Sequence, residues 1–320
     1  MERIAGMKTS EETHHAPVVL FVYNRLQHLQ KTIDALSANS EASSTVLYVF
    51  SDAAKNAADE SAVSEVRQYI KEIDGFSAIH IIERTENYGL ARSIIDGVTK
   101  VCQDHGRVIV LEDDIVVSRY FLKFMNDALK LYEHDERVIS IGGYQYPIKA
   151  ALPETFFLKG ADCWGWATWK RGWDLFEPDG RALLREMRER KLTHRFDFDR
   201  SYPYTRMLRN QIKGKNNSWA IRWYASAFLK DKLTLYPGRS LVLNIGNDGS
   251  GTHCSATNAF TSDISDIPVK VELIDVEENL LARRQYIRLF RIWLLQVPIK
   301  IMRKLTHMTR QAMCKNDACC

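Results

Sequence analysis

Pro17-Val18-Val19-Leu20-Phe21-Val22-Tyr23 is an unbroken apolar run, rich in β-branched residues and closed by Asn24-Arg25. Such a run reads as a strand buried on both faces, the pattern of a parallel sheet flanked by helices. Leu26, Leu29, Ile33 and Leu36 follow at helical spacing. The unit then repeats. Thr45-Val46-Leu47-Tyr48-Val49-Phe50 reads as a second buried strand stopped by Ser51-Asp52, and Val63, Val66, Ile70 and Ile73 mark one face of a helix over 59–73. A strand over 78–82 leads into a helix over 90–103, and a strand over 107–111 into a helix over 118–132. Strands alternating with helices in this way make βαβ units. The expected class is therefore α/β, Rossmann-like, with a doubly wound and mostly parallel sheet.

The alternation lapses after Gly142-Gly143. Short strands over 156–158, 233–236 and 240–245 stand among short helices, and six of the seven tryptophans lie between 144 and 250. This aromatic, irregular stretch suits a substrate-binding half. The expected organisation is an N-terminal extension over 1–15, a nucleotide-binding half over 16–143, an acceptor-side half over 144–254 and a C-terminal region over 255–320.

The 320 residues are 45% hydrophobic and 26% charged, ordinary for a globular protein. The net charge of +4 is concentrated: residues 279–316 hold nine Lys or Arg and no Asp or Glu. Ile287, Phe290, Trp293, Leu294 and Val297 form an apolar face there, among arginines and before Pro298. A basic amphipathic helix of this kind is expected either to bind an anionic membrane surface or to pack back on the domain with its basic face solvated. Residues 1–15 contain no apolar segment of signal-peptide type, and no run approaches the ~20 apolar residues of a membrane span. The expected location is cytoplasmic, peripheral on the inner face of the membrane. Cys102, Cys163 and Cys254 show no metal spacing, and Cys314, Cys319 and Cys320 leave only a weak zinc reading. No nucleic-acid partner is expected.

Ligands of doubly wound sheets bind beyond the carboxyl ends of the strands. The polar residues placed there are Asn24-Arg25, Asp52, the 84–87 segment and Glu112-Asp113-Asp114. Three adjacent carboxylates repel one another unless they are solvated or share a cation, and oxygen donors suit Mg²⁺ or Mn²⁺. A divalent ion at that edge holds a diphosphate and neutralises it as it departs. The bland alternative is that Glu112 caps the next helix and the aspartates are solvated.

Leu111-Glu112-Asp113-Asp114 after a fourth strand resembles the metal-binding acidic motif of GT-A glycosyltransferases. It is closest to the Glu-Asp-Asp form of eukaryotic N-acetylglucosaminyltransferases of type I and their bacterial, family 2-like relatives. Other segments resemble that family in order. Val22-Tyr23-Asn24-Arg25 resembles the loop that holds uracil and ribose, and Asp52 the acid that faces the nucleoside. Asn87-Tyr88-Gly89-Leu90-Ala91-Arg92 resembles the segment opening the third helix near the nucleotide. Cys163-Trp164-Gly165-Trp166 resembles the acceptor-side Gly-Trp segment, and Asn244 to His253 the closing loop. The resemblance spans roughly residues 17–254. It implies that Val22, Tyr23, Asn24, Arg25, Asp52, Asn87, Gly89, Arg92, Glu112 and Asp113 contact the nucleotide sugar. It further implies Asp114 and His253 as metal ligands, and Trp164, Trp166, Trp219 and Arg222 on the acceptor side.

Each residue also has an ordinary structural role open to it. Arg92 is able to pair with Glu86, Asp52 to cap a loop, and the tryptophans to belong to the core. The family's catalytic base stands in a Trp-Asp segment, but Trp219-Ala220-Ile221-Arg222-Trp223 carries alanine at that place. Asp162 and Asp248 are the replacement candidates. The expected function is metal-dependent transfer from a nucleotide sugar, a UDP-sugar with Mn²⁺ or Mg²⁺, to a glycan or lipid-linked acceptor in surface polysaccharide synthesis. A catalytically silent glycan-binding relative and a nucleotidyltransferase are the rivals. The latter normally carries a glycine-rich loop after the first strand, and residues 21–30 contain no glycine.

Overall fold

The computed structural model describes residues 15–248 and 260–295. The strands are β1 (Val18–Val22), β2 (Val46–Ser51), β3 (Ala78–Glu83), β4 (Arg107–Glu112), β5 (Ile115–Val117), β6 (Val138–Gly142), β7 (Thr155–Leu158), β8 (Trp166–Trp169), β9 (Leu233–Pro237) and β10 (Val242–Asn244). The helices are α1 (Leu26–Ser37), α2 (Glu60–Ile70), α3 (Gly89–His105), α4 (Phe121–Leu131), α5 (Lys170–Trp173), α6 (Gly180–Glu189), α7 (Thr193–Phe196), α8 (Tyr204–Ile212) and α9 (Trp219–Leu229). A further helix, α10, spans 280–295.

Eight strands form one sheet in the order β3-β2-β1-β4-β8-β6-β9-β7. The four from the first half, β3-β2-β1-β4, are all parallel. β8 then enters antiparallel between β4 and β6, and β6 and β9 pair parallel. The sheet thus runs unbroken through both halves of the chain. β10 pairs antiparallel with β5 in a separate ribbon, and this ribbon carries residues 245–248 back over the end of β4.

The unbroken apolar run becomes a central strand for the expected reason. Val19 and Phe21 enter the core beneath α3 and α9, while Val18, Leu20 and Val22 enter the core beneath α1 and α4. Each such side chain contributes about 1.5–3 kcal/mol by leaving water. The same two-residue period splits β8. Trp166 joins the first core and Ala167 and Trp169 the second, although the tryptophan spacing in this segment matches a helix equally well.

Gly143 marks a close crossing behind the site. A Cβ there would lie 2.8 Å from the Gly165 carbonyl oxygen and 2.7 Å from the Phe121 ring. The Gly143 N–H donates to that same carbonyl at 2.7 Å, so the backbone cannot retreat without losing the bond. Gly143→Ala is expected to cost about 1–3 kcal/mol. A thermal melt checks this, and an unchanged Tm would contradict the crowding.

The C-terminal helix corrects one expectation. α10 turns its apolar face inward. Tyr286, Ile287 and Phe290 are buried, and Trp293 stacks on Tyr202 with ring centroids 5.4 Å apart. Asn279 caps the helix through the N–H of Ala282 at 2.9 Å. Arg283 holds Asp199 with two hydrogen bonds, at 2.6 and 3.0 Å. Ile287, Phe290 and Trp293, three of the side chains expected to meet a membrane, are thus spent on the domain, because Tyr202, Phe198 and Phe260 offer them a core. Val297 and Pro298 lie outside the described residues. No helix among the described residues is long and apolar enough to cross a membrane.

Candidate active site

The acidic cluster stands at the carboxyl end of β4, as expected. Asp113 and Asp114 are 4% and 8% exposed. Both converge on Arg25, which follows β1: its Nη2 donates to Asp113 Oδ1 and, at 2.8 Å, to Asp114 Oδ2. The Tyr23 N–H reaches Asp113 Oδ2 at 3.4 Å, and Thr32 donates to the Asp113 carbonyl at 2.9 Å. The β5–β10 ribbon closes the site, with the Ile245 N–H donating to the Asp114 carbonyl at 2.9 Å. A Cβ on Gly246 would fall 2.0 Å from Asp114 Oδ2, so only glycine allows this approach.

Charge is unevenly met in this cluster. Arg25 supplies one cation for three carboxyls. Burial and the neighbouring aspartates push the Glu112 carboxyl up to about 8. Burial raises Asp113 to about 6, against the opposing pull of Arg25. Asp114 Oδ1 is buried without a hydrogen-bond partner among the described residues. Such an orphaned oxygen carries an energetic cost that a ligand would relieve.

No three His, Cys, Asp or Glu side chains among the described residues form a ready-made metal cage. A cage is not what phosphate-transferring sites require. Mg²⁺-type ions are usually held by one or two carboxylates together with the substrate's own phosphates and water. Asp114, with one hard oxygen unpartnered, fits that role. His253, the second expected ligand, lies outside the described residues.

The nucleotide-side residues are brought together, but several are committed to the protein. Asp52 accepts the backbone N–H groups of Tyr88 and Gly89, both at 2.8 Å. Its carboxylate therefore satisfies the open amino end of α3. Asp52 thus has a structural role of its own, positioning the loop at the start of α3. Asn87 Nδ2 donates to the Ala53 carbonyl at 2.7 Å, and Gly89 takes the left-handed φ of 67° that starts the helix. The Tyr23 hydroxyl and the Asn24 amide both donate to Asp59, at 3.0 and 3.2 Å. Val22 is buried in β1 and offers only its backbone. Arg92 is exposed, stacks 3.4 Å from the Tyr88 ring centroid and pairs with Glu86 at 3.0 Å.

Next to the cluster is a cavity of about 220 Å³ walled by Tyr146, Asp162, Trp164, Tyr202, Tyr204 and Ala220, among others. The two sites share an edge. β8 pairs with β4 so that Trp166 faces Val110, and continuing that register sets Trp164 beside Glu112. The Cys163 thiol feels both Asp162 and Glu112, which, with burial, raise its pKa.

Asp162 is held from two sides. Tyr146 donates to Oδ1 at 3.1 Å and Tyr236 to Oδ2 at 2.9 Å. Burial raises its pKa, while the two hydroxyls pull the other way. Ala220 lines the same cavity, so the carboxylate missing from that position has a counterpart across the space. Asp248, the other candidate base, is half-exposed and pairs with His28 at 3.1 Å.

Three acceptor-side expectations need correction. Trp166 and Trp219 are 1% and 3% exposed and pack on each other with centroids 5.6 Å apart. They are core residues, since no ring face is left for a sugar. Trp164 alone of the expected tryptophans lines the cavity, edge-on to Tyr144 at 4.7 Å. Arg222 is buried and faces a different cavity. Sequence reading missed Tyr146 and Tyr236, which hold Asp162. The only signal was the aromatic density of the second half.

A model of the GNT-I family matches residues 1–180. No curated protein matches the sequence. Similar solved structures include the mannosyltransferase PcManGT from Pyrobaculum calidifontis in complex with GDP-Man and Mn²⁺, at 15% identity over 67% of this chain and 69% of that one, with a TM-score of 0.37. Another is S. aureus TarS, at 12% identity over 54% of this chain and 29% of that one, with a TM-score of 0.33. With the family match covering more than half of its length, the chain belongs to the GNT-I family and is a glycosyltransferase.

Proposed function

We propose that the chain transfers a sugar from a UDP-sugar to a hydroxyl of a glycan or lipid-linked glycan, with Asp114 as metal ligand and Asp162 as general base. The observation that carries this reading is the adjacency of two buried carboxyl sites. One is the Asp114 cluster with its open oxygen. The other is the aromatic cavity holding Asp162.

A divalent ion, when bound, supplies positive charge to the departing diphosphate. Everything else falls to the chain's own groups. Asp114 offers its free Oδ1, and Arg25 sets the carboxylate's orientation and lies close enough to turn toward a phosphate. Trp164 and the tyrosines wall a space with room for one sugar ring and keep water out. Each Asp162 oxygen accepts one tyrosine hydroxyl and keeps a second lone pair for the acceptor O–H. As that proton passes to Asp162, the acceptor oxygen bonds to the anomeric carbon and the bond from that carbon to the phosphate oxygen breaks. A single displacement of this kind inverts the anomeric centre. A pKa raised by burial suits a base that works near neutral pH.

The donor is tested by incubating the protein with UDP-sugars and GDP-sugars, with Mn²⁺ or with a chelator, and following nucleoside diphosphate release. Release from UDP-sugars that requires Mn²⁺ is expected. Release from GDP-sugars alone, or from neither class, would overturn the donor assignment.

A further inference from the structure

A second cavity, of about 700 Å³, opens between α3 and the amino end of α9. Ala91, Ile95 and Thr99 form its α3 side, and Asn217 and Arg222 stand opposite. The floor is firm, because Trp173 Nε1 donates to Thr99 Oγ1 at 2.8 Å from within the core. Tyr88 lines the end nearest the nucleotide loop, and Lys100 and Gln103 lie further along α3.

The charges of this groove do not balance. Arg222 is 7% exposed. Its Nε and Nη1 donate to the carbonyls of Ser218 and Pro178, each at 3.2 Å, and Nη2 lies 3.5 Å from the Asn217 amide oxygen. All three acceptors are neutral. Burial lowers the arginine's pKa, and no neighbouring carboxylate offsets this. Leaving a charge buried without its counter-charge is costly, so a buried guanidinium of this kind calls for an anion. Arg92 and Asp96 also line the groove, and each is paired: Asp96 with Arg84, and Arg92 with Glu86, which leaves Arg222 and Lys100 in excess. Lys100 is exposed on the groove wall and makes no ion pair among the described residues.

We propose that this groove binds a phosphate group of a ligand other than the donor nucleotide, with Arg222 as its bidentate contact and Lys100 as its second cation. Guanidinium forks match phosphate oxygens in pairs, and a lysine adds a mobile point charge. The site is separate from the Asp114 cluster, whose carboxylates repel a phosphate in the absence of a metal. The groove extends from Tyr88 in the nucleotide loop along α3 to Gln103.

Calorimetric titration of the full chain with inorganic pyrophosphate, in chelator, tests the site. Saturable binding of one pyrophosphate per chain is expected. Lys100→Glu, on the surface, should weaken it about tenfold, and Arg222→Gln at least as much. Asp114→Asn should leave it unchanged. Absence of saturable binding, full affinity in Lys100→Glu, or loss in Asp114→Asn alone would each overturn the proposal. Geranyl pyrophosphate, titrated in parallel, separates the sources. Tighter binding than pyrophosphate assigns the phosphate to a lipid-linked ligand and equal binding to a soluble one, and either result upholds the site.

Discussion

Asp114→Asn is expected to reduce sugar transfer by about 10²–10³-fold, the usual loss when one group that stabilises developing charge is removed. The substitution preserves shape and keeps an oxygen for Arg25, whose Nη2 reaches Asp114 Oδ2 at 2.8 Å. What it removes is the carboxylate charge behind the unpartnered Oδ1. Stability should therefore change little, or rise, since a buried and incompletely satisfied carboxylate is replaced by a neutral group. Activity and melting temperature are to be measured on the same preparation. A transferase that keeps its rate with Mn²⁺ would show that Asp114 serves Arg25 and nothing else.

Asp162→Asn is expected to lower kcat by about 10²–10⁴-fold while leaving donor affinity as it was, because general-base catalysis contributes on that scale and the donor lies at the other carboxyl site. Tyr146→Phe and Tyr236→Phe should act more gently, through the pKa of Asp162. The pH dependence follows from the direction of that pKa. Burial holds it above the ordinary carboxylate value in the folded protein, despite the tyrosine hydroxyls. A base must be ionised, so transfer should fall as pH drops through this raised value, earlier than for an exposed aspartate. Stability runs the opposite way. The folded state binds the proton more tightly than the unfolded chain, so this group's contribution is full below the unfolded pKa. It is lost as pH rises through the folded one. Removing either tyrosine should move the acidic limb of the rate profile further up. A limb that does not move would place the base elsewhere.

The first half of the chain was legible because its elements are local. Val18–Val22 and Val46–Ser51 are apolar without interruption, and the polar residues after them mark where strands end. Glu112-Asp113-Asp114 stood out by charge density alone. The partners of these residues were not legible. Arg25 meets Asp113 from 88 positions away, and Tyr236 meets Asp162 from 74. Nothing in either local sequence reports the meeting.

The placing of Trp166 was not legible for a related reason. The tryptophan spacing around it fits a helix, but a place between β4 and β6 made the segment a strand, because insertion there satisfies two backbone ladders at once. Asp52 shows the converse. An acid after a strand resembles a ligand contact, yet two N–H groups at the start of α3 claim it first. For Ile287, Phe290 and Trp293 the membrane-facing reading gave way because amphipathicity says only that a face needs covering, and Tyr202 and Phe260 cover part of it.

The central claim is that the open oxygen of Asp114 receives a cation once a diphosphate is present. Titrating Mn²⁺ against the protein by its electron paramagnetic resonance signal, with and without UDP, tests it most directly. One tightly held Mn²⁺ per chain is expected with UDP, much weaker binding without it, and no tight site in Asp114→Asn. Equal Mn²⁺ binding by wild type and Asp114→Asn in the presence of UDP would contradict the account.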